Sequence, residues 1–61
     1  MTHSELKRKL REIGCYVIRE GNNHEIWFSP KTQKQFPVGR HDKKEVASGT
    51  LKSIRRDAGL E

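Results

Sequence analysis

An α+β fold of order α-β-β-β-α is predicted for this chain by three observations. Apolar residues recur at helical spacing near both ends of the sequence. Three short runs rich in β-branched and aromatic residues lie between them. Gly, Pro and Asn mark the boundaries between these segments. Three antiparallel strands with two amphipathic helices on one face would bury one core and leave the other sheet face open. A chain of 61 residues is the size of a single small domain, residues 1–61. Such a domain buries only roughly 60% of its unfolded surface, so any site has to be a surface or a shallow groove.

The first helix is expected over "THSELKRKLREIG". Thr2 followed by Glu5 fits a capping box. Leu6, Leu10 and Ile13 form one apolar stripe, with Lys7, Arg8, Lys9 and Arg11 mainly off it as a solvated face or as phosphate contacts, and Gly14 is a natural stop. "CYVIRE" reads as the first strand and "GNN" as a tight turn whose residues tolerate positive φ. "HEIWFS" is the second strand, and "PKTQ" is a turn bent by Pro30. "KQFPV" is a weaker third strand that either ends at Pro37 or lies at an edge, because Pro37 cannot donate a ladder hydrogen bond. "GRHDKKEVA" is a polar connection. The second helix follows in "SGTLKSIRRDAGL", with Ser48 as N-cap and Gly59 as its end. The expected core is Leu6, Leu10, Ile13, Val17, Ile26, Phe28, Phe36, Leu51, Ile54 and Ala58. Apolar residues run consecutively in "YVI" and "IWF", so some of Tyr16, Ile18 and Trp27 are expected on the open sheet face. Such a face suits stacking on unpaired bases or contact with a protein partner.

The formal net charge is +5, which favours a nucleic-acid partner because phosphates reward clustered Lys and Arg. An acidic protein partner fits the same charge. The single Cys15 excludes an intrachain disulfide and a Cys-based zinc site within one chain. The three histidines show neither an i, i+4 pair nor a short ligand cluster, so no metal and no cofactor are expected. "MTHSELKRKL" lacks the apolar run of a signal peptide, and no segment approaches the length that spans a bilayer. A cytoplasmic protein without membrane contact is the expectation.

His24 opens the second strand directly after the turn. From the pattern alone it is either a catalytic group or an ordinary polar residue beside a turn. His41 sits in the polar connection, where it holds the loop or touches phosphate. His3, at the start of the first helix, is expected to be merely solvated. Arg19 and Arg40 are candidate phosphate contacts, because the expected topology brings both to strand ends near His24 or His41. Lys52, with Arg55 and Arg56, is either a solvated helix face or a further phosphate contact.

The chain resembles the HicA toxin family of small bacterial ribonucleases over nearly its whole length. Three segments carry the resemblance: "LKRKLREIGCYVIRE", "NNH", and "FPVGRH" followed by "GTLKSIRRDAGL". The last is the most specific, a helix opening on Gly-Thr-Leu and closing on Ala-Gly-Leu. Asn22 and Asn23 stand where the family usually shows Gly-Ser. Cys15 stands where a larger apolar residue is common, which points to a packing change. The resemblance implies a fold similar to a double-stranded-RNA-binding domain. It implies a toxin of a type II toxin–antitoxin pair that cuts messenger RNA without a metal, with His24 as its catalytic residue. Asn22 and Asn23 join Arg19, Arg40, His41 and Lys52 as candidate RNA contacts. The implied partner is a HicB-like antitoxin, through which alone DNA would be reached.

The chemistry suits a histidine. A 2′-hydroxyl can attack the adjacent phosphorus once its proton is removed, and free imidazole titrates near pH 6.5. A positioned general base contributes roughly 10²–10⁴ in rate. Free amides at Gly49 and Thr50 would offer a seat for phosphate. Two rival readings use the same composition: a non-catalytic RNA-binding module, and a protein-interaction module with no RNA partner.

Overall fold

The computed structural model describes residues 1–60 and has the element order helix, three strands, helix. Helix α1 spans His3–Glu12, strands β1, β2 and β3 span Tyr16–Glu20, His24–Ser29 and Lys34–Gly39, and helix α2 spans Ser48–Ala58. The sheet is antiparallel throughout, in the order β1-β2-β3. Leu6 and Leu10 of α1, Trp27 of β2, Phe36 and Val38 of β3, and Ile54 and Ala58 of α2 share one buried cluster. Both helices therefore cover the same sheet face.

Helix α1 begins as its sequence dictates. The Thr2 side chain accepts the Glu5 amide, and the Glu5 carboxylate accepts the Thr2 amide at 3.1 Å. Further α1 amides are satisfied from outside the helix: His3 donates to the Lys44 carbonyl and Ser4 to the Asp42 carbonyl, each at 3.0 Å. Gly14 follows the helix at φ 94°, a conformation in which a Cβ is strained. Helix α2 begins differently from expectation. Its N-cap is Ala47, without a side-chain cap, and Ser48 is already helical. Buried Val46 places this start, because it joins the core just before the helix. The other end of α2 is tied to the β2–β3 turn. Ser29 Oγ donates to the Ala58 carbonyl at 2.8 Å and Lys31 Nζ to the Gly59 carbonyl at 3.0 Å. Thr32 Oγ1 donates to the Asp57 carbonyl.

The facing of β2 is the reverse of the expected one. Trp27 is fully buried, whereas Ile26 and Phe28 are half-buried on the opposite face. The reason lies in register. Trp27 pairs with Phe36 and Val17 pairs with Trp27, so these inward residues stack across all three strands. The Trp27 indole N–H donates to Glu25 Oε1 at 3.2 Å, and the Arg11 guanidinium lies 5.3 Å from the ring centroid. The open face carries Tyr16 at 51% exposure, with its ring centroid 5.7 Å from that of Phe28, and Ile18 at 44%. A bulge between Val17 and Arg19 leaves Ile18 without a register partner. Cys15, Val38 and Val46 also join the core, beyond the residues expected there.

The β1–β2 turn departs from expectation too. Among the described residues positive φ occurs at Gly14, Gly59 and Gln33, and not at Gly21, Asn22 or Asn23. Gly21 instead allows a close approach: its amide donates to the His24 carbonyl at 2.8 Å, and an added Cβ would lie 3.2 Å from that oxygen.

Candidate active site

The end of the sheet at His24 is built by three chain segments. His24 opens β2 and pairs in register with Gly39, the last residue of β3. Arg40 follows Gly39 and reaches back over the first turn. Its Nη1 donates to the Gly21 carbonyl at 2.7 Å, its amide donates to the Asn23 carbonyl at 3.3 Å, and its Nη2 lies 3.9 Å from Glu20 Oε1. The turn that carries His24 is thus braced from β3. Residues 40–47 then run along the N-terminus of α1, held by the His3 and Ser4 amides and by a bond from the Val46 amide to the Met1 carbonyl.

These segments enclose an open groove of about 420 Å³. His24, Pro37 and Gly39 line it from the sheet, His3 from α1, Lys44 from the connection, and Thr50 from the first turn of α2. No side chain caps that first turn, so its leading amides are available to an anion in the sense of a helix N-terminus. Glu45 also lines the groove. Its carboxylate faces the Met1 ammonium at 2.6 Å.

Lys7 underpins this end of the molecule. It is only 7% exposed, and its Nζ lies 2.8 Å from Asp42 Oδ1 and 3.2 Å from Glu25 Oε1. Burial lowers the Lys7 pKa, but the hydrogen bonds to Asp42 and Glu25 outweigh it and the net shift is upward. The hydrogen bond from Lys7 holds the Asp42 carboxyl below its ordinary range. This ion cluster joins α1, β2 and the connection behind His24. Its lysine was expected on a solvated face.

The candidate residues divide by position. His24 is in the groove and exposed. Arg40 and Asn23 adjoin it, with Arg40 occupied in bracing the turn. Asn22 is exposed in the same turn. Arg19 lines a different depression on the open sheet face, with Ile18, Ile26 and Gln35. His41 and Lys52 are exposed and outside the residues that line the His24 groove. His3 is not merely solvated. It is half-buried, lines the groove, and has Nδ1 2.6 Å from the Lys44 carbonyl oxygen. No local pattern signals His3 or Lys44, because they meet across 41 residues of chain. Among the described residues, no group of three or more His, Cys, Asp or Glu side chains is arranged to hold a metal ion. Nor is any helix long and apolar enough to cross a membrane.

Comparison with known proteins adds one finding. No curated protein and no solved structure matches the chain. The model of the HicA toxin of bacterial toxin–antitoxin systems matches residues 4–60, which include both helices almost entirely, all three strands and His24. By that match, which spans nearly the whole sequence, the chain belongs to the HicA toxin family.

Proposed function

We propose that this toxin is a metal-independent endoribonuclease that cuts messenger RNA in the cytoplasm, with His24 as a catalytic residue. The observation that carries the reading is the position of His24. It stands exposed in a groove shared with Lys44 and the uncapped first turn of α2, in a chain of the HicA toxin family. Cleavage by an internal 2′-hydroxyl needs a group to take its proton, a group to protonate the departing 5′-oxygen, and positive potential at phosphorus. An imidazole supplies either proton transfer. Lys44 and the α2 amides supply the potential, with Asn22, Asn23, Arg19, Arg40, His41 and Lys52 as contacts along a longer RNA. One such proton transfer is worth roughly 10²–10⁴ in rate, or about 3–5 kcal/mol of barrier. The proposed partner is a HicB-like antitoxin that covers the groove, and a net charge of +5 favours an acidic surface on it. DNA is reached only through that partner.

The test uses purified protein and a structured single-stranded RNA in the presence of EDTA. Wild type is expected to cut, while His24→Ala folds by circular dichroism, binds RNA, and cuts at least about 100-fold more slowly. RNA bound equally by both proteins and cut by neither would favour a non-catalytic RNA-binding module. Equal cutting by both would remove His24 from the chemistry.

A further inference from the structure

Two histidines line the groove, and His24 is one of them. His3 is the first residue of α1. Its Nδ1 lies 2.6 Å from the Lys44 carbonyl oxygen. A carbonyl oxygen only accepts, so Nδ1 carries the hydrogen and the neutral ring keeps its lone pair on Nε2. The same carbonyl accepts the His3 backbone amide at 3.0 Å. Ring and main chain are therefore tied to one atom, and the ring has little freedom to turn.

Nε2 is directed at Gly39. A Cβ built on Gly39 would lie 2.9 Å from His3 Nε2, so the ring occupies the space that glycine leaves open. Gly39 is the register partner of His24. Paired Cα atoms of antiparallel strands are roughly 4.5–5.5 Å apart, which brings His3 Nε2 within roughly 10 Å of the His24 Cα. With the reach of the His24 side chain, that separation lets both rings address one phosphodiester. Among the described residues Nε2 has no hydrogen-bond partner. His3 also lies just outside residues 4–60, the stretch matched by the family model. Its assignment rests on the geometry of this chain.

We propose that His3 is a second catalytic residue, the general base for the 2′-hydroxyl, and that His24 protonates the leaving group. The proposal rests on the ribonuclease reading of the groove. His3 Nε2 takes the 2′-hydroxyl proton as the 2′-oxygen bonds to phosphorus. The bond from phosphorus to the 5′-oxygen breaks, its electron pair goes to that oxygen, and the oxygen takes a proton from the His24 imidazolium. The products are a 2′,3′-cyclic phosphate and a 5′-hydroxyl. His3 ends protonated and His24 neutral, so protons and charge balance.

The test compares wild type, His3→Asn, His24→Ala and Gly39→Ala under single-turnover conditions, with RNA affinity measured in parallel. The Asn amide nitrogen can take the place of Nδ1 and keep the bond to Lys44, while Nε2 is removed. Each protein is given ordinary RNA and RNA with sulfur in place of the bridging 5′-oxygen, a leaving group that departs without a proton. His3→Asn is expected to slow at least about 100-fold on both substrates with affinity within about threefold of wild type. His24→Ala is expected to recover on the sulfur substrate. Gly39→Ala, whose methyl displaces the His3 ring, is expected to slow on both. The proposal is overturned if His3→Asn cuts within about threefold of wild type, if its loss follows RNA affinity, or if sulfur rescues it. If wild type cuts neither substrate, the ribonuclease reading fails and the role of His3 falls with it. A cutting wild type beside an unaffected His3→Asn removes only His3.

Discussion

Lys7 shows how much one buried cation decides. Removing it would leave Glu25, itself 16% exposed, with a charge and no cationic partner. Lys7→Ala is therefore expected to cost roughly 3 kcal/mol, because breaking a buried pair strands the other charge. Urea unfolding measures this, and a loss no larger than that of a surface lysine would contradict the role. "LKRKLRE" offers four cationic residues that look alike in sequence. Which of them turns inward depends on Asp42, 35 residues away, and such a pairing is not legible locally. From the sequence, His3 is expected to be merely solvated for the same reason, since its partner Lys44 lies 41 residues away. The position of His24 at the start of β2 was legible because its turn and its strand fall within a few residues. The facing of Trp27 was not legible because three consecutive apolar residues in "IWF" satisfy either facing. Pairing with Phe36 decides it: Phe36 was expected in the core, and the register places Trp27 beside it.

At the scale of elements, the order α-β-β-β-α was legible, whereas the N-cap of α2 and the backbone of the Gly-Asn-Asn turn were not. The capping box fixes the start of α1 with groups three residues apart. Thr2→Ala is expected to cost about 1 kcal/mol and to loosen the connection fastened there, seen as faster amide exchange in residues 40–47. The start of α2 was displaced by one residue because the buried Val46, and no side-chain cap, sets it. The end of α2 was legible from Gly59, which takes φ 80°. An added Cβ there would also lie 3.1 Å from Lys31 and Thr32 side-chain atoms. Gly59→Ala is expected to cost more than about 1 kcal/mol, read as a fall in the thermal midpoint. The polar look of "GRHDKKEVA" concealed its architectural task. Its carbonyls cap α1 and hold the His3 ring, and main-chain roles of this kind leave no residue signature.

For the molecule as a whole, charge gives two expectations. The Asp42 carboxyl is held low by Lys7, so its contribution to stability is present above its unfolded pKa and fades as pH falls through the folded value. The Lys7 ammonium is held high by its two carboxylates, so its contribution is complete below its unfolded pKa and fades as pH rises through the folded value. For this cluster, stability is expected to be level from roughly pH 5 to pH 9 and to fall on both sides. In Lys7→Ala the part of each arm that this cluster contributes should vanish; thermal midpoints across pH measure it. With RNA, the logarithm of affinity should fall against the logarithm of salt with a slope near −0.7 for each phosphate neutralised on a single strand. A flat response would instead favour a protein-interaction module, for which the exposed Tyr16 and Ile18 offer a surface.

The groove between His24 and α2 is proposed to cleave RNA by internal attack of its 2′-hydroxyl. The chemical ends of the fragments distinguish this from attack by water. Mass analysis of an RNA cut by the wild-type protein in EDTA is expected to show a 2′,3′-cyclic phosphate, or the phosphate from its opening, and a 5′-hydroxyl. Fragments ending in a 3′-hydroxyl and a 5′-phosphate would mean that water attacked phosphorus, and the proposed chemistry of the groove would be wrong.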